Sequence, residues 1–291
     1  MAISIGVDIG GTKISAAYIV GEELVATQKR SYNRAQVIAD IADLYRELIA
    51  NREPATKVGV SCAGLVDSST GIVQFAGNLE MDKFPLGPEL TKSLGIPVTV
   101  ENDARCALWG EFSSAKGSLG KNIAGLVLGT GVGGGLIINS KLITGKNGFA
   151  GEFGHLPVRG VSRTCACSLV GCLESVAGGR SFEESYLAAT GENLTAEQIT
   201  ELARAGNPLA LEAFREVGDA VGQVMSQLDT ALDLDSLVIG GGFGSTSDLW
   251  LDTAKAKYLK GLVGAANRQP MKVIVSQLGQ KAQLLGAGSL S

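Results

Sequence analysis

Two short glycine turns, each between a pair of apolar, β-branched runs, constrain the fold of this chain more than any other feature. The first spans residues 8–13, between predicted strands at 3–8 and 14–20. The second spans residues 129–135, between predicted strands at 123–128 and 135–139. Each turn opens one half of the 291-residue chain. The repetition predicts an α/β protein of two similar lobes with a cleft between them.

Composition narrows the class of protein further. Hydrophobic residues make up 45% and the net charge is only −4, so the chain can bury a core and is not disordered. The sequence contains no block of Lys or Arg, which argues against nucleic-acid and membrane partners. We find no secretory signal at the start, and the five cysteines are an odd number, so we expect a cytoplasmic protein without a disulfide framework.

The rest of the chain alternates strands and helices. Further strands are predicted at 23–29, 57–62, 98–101, 142–144, 236–239 and 272–275. Helices are predicted at 34–52, 87–94, 104–114, 181–189, 195–205, 208–232, 249–262 and 281–287. We expect a smaller α/β domain at 1–118, joined by a C-terminal helix at 280–291, and a larger α/β domain at 119–279.

The glycine turns are suited to phosphate binding, because glycine lets backbone N–H groups approach phosphate oxygens closely. The first turn adds a carboxylate, Asp8, that can hold hydrated Mg²⁺. A third cluster at 240–242 follows a predicted strand and is placed to receive adenine and ribose. Each turn alone is better explained as a hairpin or strand-to-helix turn without a ligand. The three together favour a nucleotide.

Two familiar nucleotide motifs do not account for these turns. The chain has no G-x-x-x-x-G-K-[ST] sequence, so it contains no P-loop. Residues 129–134 do match G-x-G-x-x-G, but the segment that follows is predicted as a strand. A dinucleotide-binding turn requires a helix at that place.

The only histidine, His155, precedes three closely spaced cysteines, Cys165, Cys167 and Cys172. One imidazole and three thiolates complete a tetrahedral Zn²⁺ site with no open position, which is typical of a structural metal. The alternative is a loop with three unpaired thiols. We predict a zinc-binding loop, with Cys62 and Cys106 as small core residues.

Three carboxylates near these motifs are candidates for substrate chemistry. Glu152 and Glu174 flank the cysteine loop, where a bound metal would orient them towards a polyhydroxylated ligand. They are equally well explained as solvated surface glutamates. Asp103 lies between a predicted strand and a helix, where it either caps the helix or acts as a general base for a hydroxyl.

Together these motifs resemble the ROK family of bacterial sugar kinases over essentially the whole chain. The matching segments are residues 8–13, 101–104, 128–135, 151–155 and 165–174. The resemblance implies an α/β, two-lobed fold of the actin/hexokinase-like (ribonuclease H-like) ATPase class, which closes on its ligands. Ser168 departs from the family, which usually has glycine after the C-x-C pair, so the following turn is built differently.

The resemblance also implies roles for individual residues. Asp103 would be the base that takes the proton from the sugar 6-hydroxyl. Sugar hydroxyls would be bound by Asn78, Asn102, Glu152, His155 and Glu174, while the zinc ligands would be His155, Cys165, Cys167 and Cys172. ATP would be held by Gly10, Gly11, Thr12, Lys13, Thr130, Gly131, Gly240, Gly241 and Gly242, and Mg²⁺ by Asp8. The partners would be sugar, ATP and a second copy of the chain in a homodimer.

The sugar is not determined by the motifs. Residues 125–135, 143–146 and 151–155 are most similar to N-acetylglucosamine kinases, our first expectation, whereas the short gap between His155 and Cys165 is similar to glucokinases. N-acetylmannosamine is a further alternative, and polyphosphate is an alternative donor. Some relatives are sugar-sensing repressors with an N-terminal helix-turn-helix, but the first strand here is predicted from Ile3. A non-catalytic sugar-binding protein is the other rival.

Overall fold

Runs of β-branched and apolar residues form the strands of the main sheet in the first half of the chain, as predicted. The computed structural model describes residues 2–290. In chain order, the elements of this half are β1 (Ile3–Ile9), β2 (Lys13–Val20), β3 (Glu23–Ser31), α1 (Val37–Ile49), β4 (Val58–Cys62), β5 (Leu65–Asp67), β6 (Ile72–Ala76), β7 (Met81–Phe84), α2 (Leu86–Leu94), β8 (Val98–Asn102) and α3 (Asp103–Ser114). A 3-10 turn at Gly77–Leu79 separates β6 from β7.

The main sheet of this half has the order β3-β2-β1-β4-β8. Its strands β1, β4 and β8 are parallel, so their carboxyl ends lie at one edge of the sheet. A second, three-stranded sheet, β5-β6-β7, was not predicted, because its strands are only three to five residues long. Strands this short carry little periodic signal.

The second half repeats the arrangement. Its elements are β9 (Ile123–Leu128), β10 (Val132–Ile138), β11 (Lys141–Leu142), α4 (Glu174–Ala177), α5 (Gly179–Thr190), α6 (Ala196–Arg204), α7 (Pro208–Leu232), β12 (Ser236–Gly240), α8 (Leu251–Gly261), β13 (Lys272–Val275) and α9 (Lys281–Leu290). The sheet order is β11-β10-β9-β12-β13. Helix α7 has the predicted bounds, and α6 begins with the predicted capping box of Thr195 and Gln198.

The described residues divide into two compact units. The first comprises the chain up to Leu119 together with Leu136–Gly151 and the stretch from Leu278 onward. The second comprises Gly120–Gly135 and Glu152–Gln277. We expected 119–279 to lie in one domain, whereas 136–151 groups with the first unit. No helix among residues 2–290 combines the length and apolar character needed to cross a bilayer.

The last helix, α9, packs on the main sheet of the first unit. This packing requires glycine on the strands, because a Cβ atom on Gly59 would lie 1.7 Å from the carbonyl oxygen of Ala287. Gly6 on β1 meets the carbonyl of Leu284 in the same way, at 2.0 Å. The helix therefore lies directly against the backbone of β1 and β4, the two strands that lead to the first glycine turn and to Cys62.

Candidate active site and metal centre

Two carboxylates lie at the carboxyl edge of the main sheet in the first unit. Asp8 is near the end of β1 and pairs in register with Ser61 on β4, whose hydroxyl donates to Asp8 Oδ1 at 2.8 Å. Burial raises the pKa of Asp8 to about 6, and the negative charge of Asp103 adds to the rise. The hydrogen bond from Ser61 and the charge of Lys13 oppose it. Such a carboxylate gains from a bound cation.

Asp103 is the first residue of α3, directly after β8. Burial raises the pKa of its carboxyl group, while the N–H of Ala104 and the charge of Arg105 act in the opposite direction. The residue that caps α3 is Asn102 rather than Asp103, since Asn102 Oδ1 accepts from the N–H groups of Ala104 and Arg105. The Asp103 carboxylate is therefore not needed as the N-cap.

Asn102 is fully occupied by contacts within the protein. Its Nδ2 donates to the carbonyl of Gly64 at 3.0 Å and to Asp103 Oδ1 at 3.1 Å. Because its Oδ1 serves as the cap, the side chain holds the start of α3 and the Asp103 carboxylate together. A sugar hydroxyl would have to displace one of these contacts or share them.

The first glycine turn is closed by a hydrogen bond from the N–H of Gly10 to the carbonyl of Lys13, at 2.9 Å. Gly11 and Thr12 are exposed at its tip. Asn78 lies beside the turn, since a Cβ on Gly11 would be 3.8 Å from the Asn78 carbonyl oxygen. The ammonium group of Lys13 lies 3.4 Å from Gln280 Oε1. The structure thus brings Asn78 to the turn predicted to bind phosphate.

The predicted zinc ligands lie together in the second unit. One ligand atom from each of His155, Cys165, Cys167 and Cys172 lies within 4.8 Å of the others. His155 Nδ1 is 3.7 Å from Cys165 Sγ, and Cys167 Sγ is 3.7 Å from Cys172 Sγ. A tetrahedral zinc ion with Zn–S bonds of ~2.3 Å holds its sulfur ligands about 3.8 Å apart. The spacing therefore fits a bound zinc ion.

The surroundings of two of these thiols shift their pKa values in opposite directions. The N–H of Leu169 lowers the pKa of Cys167, which favours the thiolate form. Burial raises the pKa of Cys172 to about 12, so this thiol ionises readily only beside a cation. The chain from Thr164 to Val170 forms a small antiparallel bridge that closes the loop between the ligands.

The two glutamates that flank this loop differ in their surroundings. Glu174 Oε2 accepts from the N–H of Val132 at 2.8 Å, next to the second glycine turn. The contact requires a glycine at position 131, where a Cβ would lie 2.5 Å from that oxygen. Glu152 Oε2 lies 3.9 Å from His155 Nε2, the imidazole nitrogen that faces away from the cysteines.

A cavity of about 790 Å³ in the second unit is lined by parts of three glycine-bearing segments. Gly129 and Thr130 come from the β9–β10 turn, Gly179 from the start of α5, and Gly242 from the segment after β12. Of the three predicted adenosine-binding glycines, only Gly242 lines the cavity. Gly241 instead packs against Leu128 with a φ of +86°.

Three carboxylates on the walls of this cavity were not predicted as functional. They belong to Glu183 on α5 and to Glu197 and Glu201, one turn apart on α6. Glu183 accepts from the N–H of Ala196 at 2.8 Å, and within residues 2–290 none of the three makes an ion pair. The capping box at Thr195 could have placed Glu197 and Glu201 on one helix face, but nothing local points that face to a cavity.

A buried ion pair beside Asp103 was also missed. Arg105 is 1% exposed and Glu101 is 4% exposed, and Arg105 Nε donates to Glu101 Oε1 at 2.7 Å. The two residues are four apart, but Glu101 lies on β8 and Arg105 on α3, so the rule for charges four apart on one helix does not predict their pairing. The burial of the pair could not be read from the sequence either.

Comparisons with known proteins agree with this geometry. The model of the ROK family matches residues 4–291. A glucokinase from Streptomyces coelicolor is 35% identical, with 100% of this chain and 98% of the relative covered. An N-acetyl-D-glucosamine kinase from Pectobacterium atrosepticum is 34% identical, with 84% and 85% covered.

Among solved structures, a ROK family glucokinase from Streptomyces griseus, in complex with glucose and AMPPNP, has a TM-score of 0.86. Its sequence is 33% identical, and the match covers 100% of this chain and 99% of that chain. A ROK hexokinase from Thermus thermophilus has a TM-score of 0.87 at 27% identity, with 98% and 96% covered. These likenesses confirm the α/β actin/hexokinase-like fold class predicted from the sequence.

Proposed function

The chain belongs to the ROK family and is an ATP-dependent sugar kinase, and we propose that it transfers the γ-phosphate of ATP to the 6-hydroxyl of a hexose. The observation that carries this proposal is the pair Asp8 and Asp103 at the carboxyl ends of the parallel strands β1 and β8, which lie on either side of β4. One carboxylate would hold a metal and the other would accept a proton. Phosphoryl transfer needs such alignment and charge neutralisation more than covalent chemistry.

The acceptor that we propose first is glucose. Two features support it: a glucokinase match over the full chain, and the short gap of nine residues between His155 and Cys165. N-acetylglucosamine is the second candidate, because residues 125–135, 143–146 and 151–155 are similar to kinases of that sugar and one such kinase is 34% identical.

We assign Asp103 as the general base. Asn102 donates a hydrogen bond to Asp103 Oδ1, as does the N–H of Ala104. These contacts engage one oxygen, so Oδ2 is the oxygen that would accept the proton of the 6-hydroxyl. Burial favours the neutral form of the carboxyl, so the proton is held well once transferred.

The second unit would supply the sugar-binding groups. Glu152, His155 Nε2 and Glu174 offer acceptors or donors to hydroxyl groups, and the zinc ligands determine the course of the loop that carries His155. A structural zinc supplies rigidity rather than chemistry at this place. Asn78 in the first unit would be a further contact to the sugar.

The donor that we propose is ATP with Mg²⁺ held by Asp8. The glycine turns at 10–12 and 130–131 would bind phosphate oxygens, and Mg²⁺ would neutralise their charge during transfer. The cavity with Glu183, Glu197 and Glu201 suits the ribose and adenine, whose hydroxyl and amino groups donate hydrogen bonds. Polyphosphate has no ribose or adenine to occupy this cavity, so ATP is the donor that we propose.

The test is a coupled assay of ADP release against glucose, N-acetylglucosamine, N-acetylmannosamine, mannose, fructose and allose. We expect release that depends on the sugar, with the highest kcat/KM for glucose and no transfer from polyphosphate. A protein that binds a sugar in calorimetry but transfers phosphate to none of the six would be a non-catalytic sugar-binding protein. A higher kcat/KM for N-acetylglucosamine would replace glucose with the second candidate.

A further inference from the structure

The buried Arg105 connects three separate segments of the first unit. Its Nε and Nη2 both contact Glu101 Oε1, at 2.7 and 2.5 Å, and its Nη1 donates to the carbonyl of Ala150 at 3.0 Å. Nη2 also lies 3.5 Å from the carbonyl of Val66 on β5. A side chain that is 1% exposed loses its hydration, so these contacts replace water rather than add to it.

Glu101 extends the connection to the residues that surround Asp103. Its Oε1 accepts from the N–H of Asn102 at 2.7 Å, and its Oε2 accepts from the hydroxyl of Ser68 at 2.8 Å. Asn102 in turn donates to Asp103 Oδ1. The ion pair thus holds the junction of β8 and α3, where the proposed base is located.

The hydrogen bond from Arg105 to the Ala150 carbonyl lies close along the chain to Glu152, a candidate sugar ligand. Gly151 is the last residue of its segment in the first unit, and Glu152 is the first residue of the following segment in the second unit. Ala150 also donates its N–H to the carbonyl of Thr144, and Gly148 packs against the carbonyl of Val66, where a Cβ would lie at 2.6 Å. Arg105 therefore fixes the main chain two residues before a candidate sugar ligand.

We propose that Arg105 is a positioning residue for the acceptor sugar. Through Glu101 it holds the helix start that carries Asp103, and through the Ala150 carbonyl it holds the segment that leads to Glu152. The proposal rests on the proposed kinase function. The proposal predicts that changes at Arg105 affect the sugar and not ATP. The residues involved belong to the acceptor side, and none of them lines the cavity assigned to the nucleotide.

The Arg105→Lys variant distinguishes a positioning role of Arg105 from a role in folding alone. A single ammonium group can keep the ion pair with Glu101, but it lacks the planar fork that reaches Glu101 and Ala150 at the same time. We expect Arg105→Lys to raise the KM for the sugar about tenfold and to weaken sugar binding in calorimetry by the same factor. The KM for ATP should stay within twofold of the wild type.

A second variant, Glu101→Gln with Arg105→Met, removes both charges and so leaves neither one buried without its partner. It should show the same rise in the KM for the sugar. If neither variant folds, Ser68→Ala tests the same connection, because it removes one hydrogen bond from Glu101 and leaves Arg105 in place. We expect a rise of two- to fivefold in the KM for the sugar from that change.

Arg268→Lys is the matched control. Arg268 pairs with the buried carboxylate of Asp229 and with Asp233 in the second unit, outside all the candidate sites. The Arg268→Lys variant should have a lower Tm than the wild type and unchanged KM values for both the sugar and ATP. If the Arg105 variants behave like this control, Arg105 is only structural and the inference is wrong. If the wild type neither phosphorylates nor binds a sugar, the proposed function fails instead, and the inference fails with it.

Discussion

At the scale of single residues, the same physical effect acts on Asp8 and Asp103. Burial makes the charged form of each carboxyl group costly, and each lies at the edge of the main sheet. A carboxyl group with a raised pKa is unfavourable for folding at neutral pH but useful for holding a cation or a proton. We therefore test the proton acceptor, Asp103, by kinetics and the proposed cation ligand, Asp8, by protein stability.

Asp103→Asn tests the role of the base. Asparagine keeps the size and the acceptor oxygen that the Ala104 N–H contacts, but it cannot take up a proton. We expect kcat to fall by ~10²- to 10⁴-fold, with sugar affinity within a few-fold of the wild type. Steady-state kinetics and calorimetry measure the two quantities, and a variant with full turnover would exclude Asp103 as the base.

The pH dependence of kcat/KM follows from the raised pKa of Asp103. The base acts only when it is deprotonated, so activity should be lost as the pH falls through a value above the ordinary range of an aspartate. In the Asp103→Asn variant the part of this acid limb that belongs to Asp103 should be absent, and an acid limb that remains should weaken as the Mg²⁺ concentration is raised, because it belongs to Asp8.

Asp8→Asn should stabilise the protein when no divalent cation is present. With a folded-state pKa of about 6, Asp8 binds a proton that the unfolded chain has released, so wild-type stability falls as the pH rises through that window. The variant removes this loss. The gain in the free energy of unfolding should be small at pH 4.5 and reach up to about 3 kcal/mol at pH 7.5.

Urea unfolding at both pH values measures this gain, and Mg²⁺ should reduce it by stabilising the wild type alone. Asp235→Asn is the control of opposite sign, because the N–H groups of Asn122 and Lys121 lower the pKa of Asp235. That variant should lose stability at pH 7.5. An Asp8→Asn protein less stable than the wild type at pH 7.5 would contradict the assignment.

At the scale of elements, the cysteine loop has little regular structure of its own. Between His155 and Glu174, where every residue is described, the strand-like pairings are two isolated bridges, Pro157 with Cys172 and Thr164 with Val170. Leu169 and Val170 at its tip are about 60% exposed, so the loop has little apolar burial to hold it. Its order therefore depends on the metal ligands.

Cys167→Ser tests this dependence. Cys167 is exposed, so the change leaves packing intact while it removes one of four ligands. We expect the zinc content to fall from about one per chain, and zinc affinity to fall by more than the roughly 10- to 100-fold caused by losing an outer-shell partner. The KM for the sugar should rise with it. Cys62 is a buried thiol on β4 outside the set of candidate ligands. The Cys62→Ala variant is therefore the control, and the protein should keep its zinc.

At the scale of the whole molecule, the last helix completes the unit that the first strand begins. Gly6, Gly59 and Gly110 all place their backbone against carbonyl oxygens of α9. This sequence-distant contact explains glycines that lie outside the ligand-binding turns. Some of the 40 glycines of the chain, about twice the ordinary share, are thus a packing requirement of the first unit.

Gly59→Ala should destabilise the protein strongly. The added Cβ would lie 1.7 Å from the Ala287 carbonyl oxygen, so strand and helix must move apart. We expect a loss of about 3 kcal/mol in the free energy of unfolding, at the upper end of overpacking effects. Gly244→Ala is the control, since its nearest neighbour would be the Ile239 carbonyl oxygen at 3.6 Å. Equal urea midpoints for the two variants would refute the argument.

Local patterns were sufficient for elements whose signal lies within a few residues. Helix α7, the capping box of α6 and strands β9 and β13 follow from periodicity and capping residues alone. The cysteine spacing likewise predicted four ligand atoms within reach of one another. The short strands β5 to β7 and the identity of the α3 cap did not follow, because pairing partners and backbone angles decide them.

The sequence by itself determined the order of the longer strands and helices, the glycine turns and the four residues of the candidate metal loop. These features depend on neighbours close along the chain, whose spacing dictates their geometry. Only the tertiary structure decided that Arg105 contacts Ala150 and that Glu197 and Glu201 line a cavity. Burial and long-range contact set the charge balance at each of these places, and both arise only when distant segments pack together.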